Sequence, residues 1–377
     1  MSRSSTLGWA LTAGLLSLAP GGLRAQGTQT NPDNTPYGTT SAEFLLFGAG
    51  ARGTALGDAF AALATDVSSL YYNPAGASLI ERPGASFSTY DYVADTRYSW
   101  GGIAFPFSGG SRTFGLQIGT FGFDNQQVYT VDQPEGTGSV YSVSETFAGA
   151  TFAQNFSDRF SAGVTAKFVF DQLGEVSGNA FAVDLGTTFH SELSGHPIRM
   201  AFVVSNLGTN LAYTGNALDV GVPRDPADPN AGTNPPQLPQ PGQLKTKGFS
   251  LPTIFRVGLA YDVLSGETNR LTLLGDFNQA NNNRAGFAGG GEWAVSKLGG
   301  SGFGVALRGS YSFLASNNIS VSDPALTALS DEENLQGLAL GGGLNYNNSD
   351  INLGFDYAYK YMGILGATNF FTLSVGW

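Results

Sequence analysis

After Gly84, apolar and polar residues alternate along most of this chain in segments of about ten residues, each with one greasy face and one small or polar face. The clearest segment is Asp350 to Tyr361. There Ile351, Leu353, Phe355, Tyr357, Tyr359 and Tyr361 share one face, and Asn352, Gly354, Asp356, Ala358 and Lys360 share the other. Phe303, Val305, Leu307, Tyr311 and Phe313 oppose Ala306, Arg308, Ser310 and Ser312 in the same way. Phe255, Val257, Leu259, Tyr261 and Val263 alternate with Arg256, Gly258, Ala260 and Asp262. Phe160, Ala162, Val164, Ala166, Phe168 and Phe170 alternate with Ser161, Gly163, Thr165, Lys167 and Asp171. The chain closes on Phe371, Leu373, Val375 and Trp377, which share one face against Thr372, Ser374 and Gly376.

The pattern predicts strands near 84–92, 97–107, 112–122, 141–155, 158–171, 178–190, 197–206, 249–263, 269–280, 284–295, 302–314, 335–346, 350–361 and 367–377, about fourteen in all. Ten tilted residues cross a bilayer. A last strand ending on an aromatic residue suits a ring in which it pairs with the first and leaves no edge in lipid. The fold class expected is therefore all-β: a closed antiparallel transmembrane β-barrel of about 14 strands with a short N-terminal helical plug. The connections test this independently. The longest, 123–140, 207–248 and 315–334, follow the third, seventh and eleventh strands, whereas short ones follow the second, fourth and twelfth. Long and short connections thus fall at opposite ends, as in outer-membrane barrels with short periplasmic turns and long external loops. This parity puts the N-terminal segment and Trp377 on the periplasmic side, and Tyr90, Tyr92, Tyr346, Tyr357, Tyr359, Tyr361 and Trp377 in aromatic girdles.

Composition agrees. Only 12% of residues are charged, mean hydropathy is −0.03, and 53 glycines accompany 12% aromatics, a mixture that a soluble domain of this size does not need. Residues 1–25 read as a cleavable signal peptide, with Arg3 before an apolar core from Leu7 to Ala19. Its removal takes Arg3 and Arg24 and no acid, moving the formal charge from −11 to −13 and arguing against nucleic acid as a partner. The domain reading is 1–25 signal peptide, 26–82 periplasmic or plug segment, and 83–377 barrel. The 207–248 loop carries Pro-rich runs at 223–229 and 235–241, which favour extended backbone and cannot continue a sheet.

Residues 41–82 break the alternation. Gly48, Gly50 and Gly53 formally match G-x-G-x-x-G, but no βαβ unit or downstream acid supports a nucleotide site, and tight backbone packing accounts for the glycines better. Thr54 to Ala64 reads as an Ala-rich helix. Thr65 or Asp66 caps a second, which Pro74-Ala75-Gly76 ends.

The stretch Phe44-Leu45-Leu46-Phe47-Gly48-Ala49-Gly50-Ala51-Arg52-Gly53-Thr54-Ala55-Leu56-Gly57-Asp58-Ala59-Phe60, with Tyr71-Tyr72-Asn73-Pro74-Ala75-Gly76, closely resembles the signature of the PorV/PorQ family within the FadL-like barrels. Ser250 to Tyr261, and Asp356-Tyr357-Ala358-Tyr359 through Leu365-Gly366-Ala367-Thr368, look similar to the same family. The resemblance implies a plug carrying Gly48, Gly50, Arg52, Gly57, Asp58, Asn73, Pro74 and Gly76. It also implies a non-enzymatic role in type IX secretion, with the translocon and secreted cargo proteins as partners at the external loops. The alternative is a FadL-like transporter of hydrophobic small molecules. Outer-membrane lipid and the outer-membrane assembly machinery are the other partners expected, the latter reading the strand with Phe371, Leu373, Val375 and Trp377.

Chemistry is sparse. His190 and His196 flank Glu192 near a turn without a third ligand in register. Asp225 and Asp228 lack EF-hand spacing. There is no Cys and no plausible Ser/His/Asp set, so neither enzyme nor cofactor is expected. Lys167, Asp184, Arg256, Asp262, Asp276, Glu292, Arg308, Asp356 and Lys360 fall on the predicted inner face, where mutual pairing and pairing with the plug is the expectation.

Overall fold

The computed structural model describes residues 35–222, 240–314 and 336–377. The signal-peptide reading, the prolines from 223 to 239 with Asp225 and Asp228, and the 315–334 loop lie outside these residues. Fourteen antiparallel strands form a closed ring: β1 (Gly84–Asp91), β2 (Arg97–Phe107), β3 (Arg112–Gln127), β4 (Val140–Ser157), β5 (Phe160–Leu173), β6 (Val176–Leu193), β7 (His196–Gly208), β8 (Ile254–Ser265), β9 (Asn269–Ala280), β10 (Gly286–Val295), β11 (Phe303–Leu314), β12 (Leu338–Asn347), β13 (Asn352–Tyr361) and β14 (Ala367–Gly376). Closure is between first and last, from Gly84 opposite Gly376 to Thr89 opposite Phe371. No helix among the described residues is long and apolar enough to cross a membrane. The crossing is made by strands.

Period-two alternation puts the large apolar groups outside. Phe371, Leu373, Val375 and Trp377 are 38–60% exposed, and Leu353, Leu307, Leu259 and Phe168 look outward with them. Such a surface is stable against hydrocarbon, where ring closure leaves no backbone group unpaired. Two girdle assignments fail. Tyr90 is 4% exposed, on the inner face beside Phe370, and Tyr92 packs on Phe47. Alternation from the buried Gly84, Ser86 and Ser88 turns Tyr90 inward, whereas Tyr357 and Tyr359 do look out.

Connections separate cleanly. One end carries the turns 108–111, 158–159, 194–195, 266–268, 296–302 and 348–351; the other carries the long connections. Much of what reads as loop is strand. β3 and β4 continue their ladder past an irregularity at Phe123/Gln126, which leaves only 128–139 as loop. In the 207–248 connection, Tyr213–Gly215 adds to β6, and Asp219–Val222 pairs with Gln240–Gln243. Pro241 sits in that ladder opposite Gly221, which a two-stranded ribbon tolerates because both strands are edges. Residues 249–253, expected in β8, instead cross the mouth, with Phe249 bridging Leu211 and Leu251 buried.

Residues 42–80 lie inside the ring, touching strands on opposite sides of it. The helix expected over 54–64 is short, Ala51–Ala55. It stops because Gly57 and Asp58 both take left-handed φ values, 68° and 59°, and turn the chain back across the lumen. A second turn of helix spans Ser69–Tyr72, preceded by Asp66, whose carboxylate accepts from the Ser68 N–H at 2.9 Å. That helix ends just before Pro74, as expected, and Pro74 then opens a 3-10 turn, Pro74–Leu79.

The segment also runs in an unexpected direction. Its start meets the loop-bearing end: Thr40 bridges Ser250, the Ser41 N–H donates to Ser250 O at 3.0 Å, and Asn282 donates to Thr40 at 2.7 Å. Its finish meets the turn-bearing end, where Arg82 donates to Ser349 O at 2.9 Å and the Trp377 N–H to Pro83 O at 2.9 Å. The segment therefore threads the barrel from mouth to mouth, and its start is not on the side of Trp377.

Candidate functional site

The lumen and its plug are where this chain concentrates buried polarity. On the side formed by β8 to β13 the plug is held by charge. Glu292 on β10, 1% exposed, accepts from three guanidiniums: Arg52 of the plug (2.8 and 2.9 Å), Arg270 on β9 (2.8 Å) and Arg308 on β11 (2.7 Å). Arg52 also reaches Asp66 at 2.7 Å, and Arg308 reaches Asp356 on β13 at 2.5 Å. Three cations thus face three carboxylates, and the balance is what makes so dense a buried network tolerable. Burial opposes the charge on Arg52, but Glu292 and Asp66 outweigh it and hold the guanidinium ionised. Nearby, Arg199 pairs with Asp262, which also accepts from Thr272 at 2.6 Å.

Toward the loop-bearing end the plug's elbow is locked separately. Asp58 binds Lys360 of β13 at 2.9 Å and the Tyr72 hydroxyl at 2.9 Å. Burial pushes the Asp58 carboxyl up; the Lys360 ammonium and the Tyr72 hydroxyl more than reverse that and leave it below the ordinary carboxylate range. Gly48 packs beside this lock, against Thr54 and Asp58. Asp276 on β9 accepts the Ala61 N–H at 3.2 Å, and Arg256 on β8 is buried beside Asp58 without a direct ion pair.

A third node lies across the ring. Lys167 of β5 is 3% exposed, pairs with Asp184 of β6 at 2.7 Å, donates to Asn206 at 2.9 Å, and stands over the rings of Tyr71 (5.7 Å) and Phe147 (5.4 Å). Asn206 in turn donates to Pro252 O at 3.2 Å, so wall, plug and external connection meet there. Asn73 works similarly: its carbonyl caps Ala75 N–H at 3.1 Å, while its amide donates to Ala61 O at 2.9 Å and Thr188 Oγ1 at 3.0 Å. Gly76 cannot carry a side chain, because a Cβ would overlap the Ala64 carbonyl oxygen. Gly50 leads into Ala51, whose N–H donates to Thr372 Oγ1 of β14 at 2.8 Å.

On the side formed by β14 and β1 to β4, the plug is held by aromatic rings instead. Phe47 packs on Tyr92 (4.7 Å between centroids), Phe121 (5.1 Å) and Tyr98 (5.9 Å); Tyr98 continues to Tyr90 (5.3 Å), and Tyr90 to Phe370 (4.0 Å). Below them Trp100 donates to Gln117 at 3.0 Å. Among the described residues no ion pair joins the plug to β1–β4. A polar cavity of about 500 Å³ opens beside this side at the turn-bearing end, lined by Arg52, Asp66, Ser86, Asp356, Thr372 and Ser374 among others.

Of the ionisable residues read as lumen-facing, Lys167, Asp184, Arg256, Asp262, Asp276 and Glu292 are buried, and Arg308, Asp356 and Lys360 are half-buried in the ion pairs above. Sequence reading missed Arg199 and Arg270, although each shares the inner register of its strand with small or polar residues such as Ala201 and Thr272. It also missed Asp66 as a partner of Arg52. His190 and His196 lie in the β6–β7 hairpin with Glu192, His196 edge-on to Tyr261. No group of three metal-ligating acids, histidines or cysteines occurs among the described residues.

No protein-family model matches the chain, and no curated protein matches it either. Solved structures do. The chain is similar to the toluene transporter TbuX of Ralstonia pickettii, at 12% identity over 88% of this chain and 98% of that one, with a TM-score of 0.51. It is similar to the P. putida toluene transporter TodX, at 11% identity over 87% and 96%, with a TM-score of 0.50. A deltaS2 mutant of the TodX monoaromatic hydrocarbon channel gives 13% identity over 87% and 97%, with a TM-score of 0.52. The fold is that of these channels. The likeness is one of architecture, a fourteen-stranded ring, and it leaves chemistry to the residues themselves.

Proposed function

We propose that this chain is a non-enzymatic outer-membrane conduit for small apolar molecules, which enter from the loop-bearing, external mouth along the aromatic side of the plug. The observation that carries this reading is the band of rings at that mouth, where Phe121, Tyr98, Tyr90 and Phe370 stand side by side on neighbouring strands and Phe47 of the plug packs against Tyr92, Phe121 and Tyr98. An apolar solute crossing a wet lumen must keep its surface in water, at about 25 cal/mol for each Å² left exposed. A seam of rings replaces that water with apolar and edge-to-face contacts. The seam is closed as it stands, so passage requires the plug to yield. It yields most readily where rings and neutral hydrogen bonds such as Ala51–Thr372 and Gln117–Leu70 hold it, while the Arg52–Glu292 and Asp58–Lys360 pairs keep the other side docked. The monoaromatic hydrocarbon and toluene channels of the same fold support this class of solute.

The test is uptake of labelled toluene by cells that carry or lack the protein. We expect initial uptake several-fold faster with it; equal rates would remove the reading. A second reading, a component of type IX protein secretion binding translocon and cargo through its external connections, rests on the PorV/PorQ-like motif at Phe44–Phe60 and Tyr71–Gly76. Detergent-solubilised protein then brings down secreted proteins or a large translocon, whereas recovery with bound apolar molecules alone favours the conduit.

A further inference from the structure

A plug tethered to β1 can enter the lumen from either mouth, and the difference decides who can reach the end farthest from that tether. The contacts here give the direction. Among the described residues, Thr40 to Glu43 reach beyond the plug to groups of the loop-bearing end: Ser250 and Tyr213 of the 209–253 connection, and Asn282 of the 281–285 connection, which donates to both Thr40 and Glu43. Phe47 follows, against Tyr92 at the loop-bearing end of β1. The chain then reaches Thr372 at mid-strand, doubles back toward the loop-bearing end where Asp58 meets Lys360, and descends past Thr188 and Gly163 nearer the turns to Pro83 beside Trp377. Pro36 to Thr39, the first residues of this path, are exposed to solvent at the mouth that bears the long connections.

We infer that the leading end of the plug, Pro36 to Thr39, is displayed on the outer surface of the cell, although the plug is joined to the barrel on the inner side. Two consequences follow for mechanism. A molecule or partner arriving from outside meets Pro36–Thr39 before it meets the lumen. A periplasmic device meets the link Glu81–Arg82–Pro83 into β1 and the plug residues, Arg52 and Asp66 among them, that line the cavity at that mouth. Whatever moves this plug acts from the external mouth, and the first contacts it must loosen there are hydrogen bonds of Thr40, Ser41 and Glu43, before the Asp58–Lys360 ion pair.

The chain has no cysteine, so single-cysteine labelling reads this directly. Thr39→Cys and Pro36→Cys, both at exposed positions, are compared with Asp132→Cys in the 128–139 loop and Glu81→Cys at the opposite mouth. Each variant is expressed as the full chain, and heat-modifiable gel mobility verifies the folded barrel. With a membrane-impermeant maleimide on intact cells, Thr39→Cys and Pro36→Cys should label to the same extent as Asp132→Cys. Glu81→Cys should label at least ten-fold less until the outer membrane is permeabilised. Labelling of Asp132→Cys in intact cells while Thr39→Cys and Pro36→Cys react only after permeabilisation would overturn the inference. This outcome is independent of toluene uptake, so the topology can fail while the transport reading stands, and the reverse.

Discussion

The two sides of the plug are fastened by different physics. Toward β8–β13 it is held by directional, charge-assisted bonds whose partners are fixed in count: remove one and the others are left buried without compensation. Toward β14 and β1–β4 it is held by rings, which tolerate sliding because one apolar neighbour can replace another at little cost. A plug so mounted resembles a door, with the charged side as its hinge and the aromatic side as its free edge. The contrast also separates two roles that buried residues of one lumen can have: Glu292 fixes where the plug sits, and Phe47 and its neighbours line the side along which the proposed conduit would open.

The comparison is most exposed to substitution at its hinge. Glu292→Ala leaves Arg52, Arg270 and Arg308 short of a shared carboxylate, and should cost about 3–5 kcal/mol of plug docking. The change is measurable as a lowered denaturant midpoint in detergent and as new ion conductance in planar bilayers. An unchanged midpoint would mean that the charged side is not the anchor. On the free edge, Phe47→Ala should cost less, about 2 kcal/mol, because Phe47 is only partly buried. Uptake of toluene should rise rather than fall, and a fall would move the seam from gate to binding surface. The Asp58 lock predicts an acid limit. Its carboxyl is depressed in the folded protein, so its contribution is fully present above the unfolded value of about 4 and is lost as pH falls through the folded value. Plug release measured by conductance should therefore grow in acid below about pH 4, and Asp58→Asn should remove that dependence. The smallest effect belongs to Asp91→Ala. Its partner Arg97 is solvent-exposed at the rim, and no measurable change in midpoint is expected.

The wall was largely legible in the sequence because lipid imposes one rule on every outward residue. Strand ends such as 97–107 and 269–280 coincide with those observed, and the longest connections do fall at one end, although the two-residue turn 174–175 shares it. What lay beyond the rule was harder. β3 and β4 run past the membrane, where outward residues such as Gln126 and Tyr141 no longer need to be uniformly apolar, so their continuation carries no period-two signal. The plug obeys neither helix nor strand periodicity: it is buried all round, and Ala-rich 54–64 looked helical because alanine favours helices wherever nothing else decides. Here Gly57 and Asp58 decided. Tyr90 was misplaced because a tyrosine near a strand end fits both a girdle and a lumen, and only register distinguishes them. The inner charges could be named one by one, but their pairing could not, since Arg52 and Glu292 are 240 positions apart and meet only when the ring closes.

That closing has a bearing on biogenesis. The strand that completes the cylinder, β14, zips onto β1, and β1 is spliced directly to the plug through Pro83, itself clasped by Trp377. A cylinder sealed empty would have to reopen to admit forty residues of folded chain, about the length from Thr40 to Leu79. Filling must therefore precede or accompany sealing, like a ship rigged before the bottle is blown around it. Mutations that slow the packing of the insert should appear first as delayed insertion into the membrane.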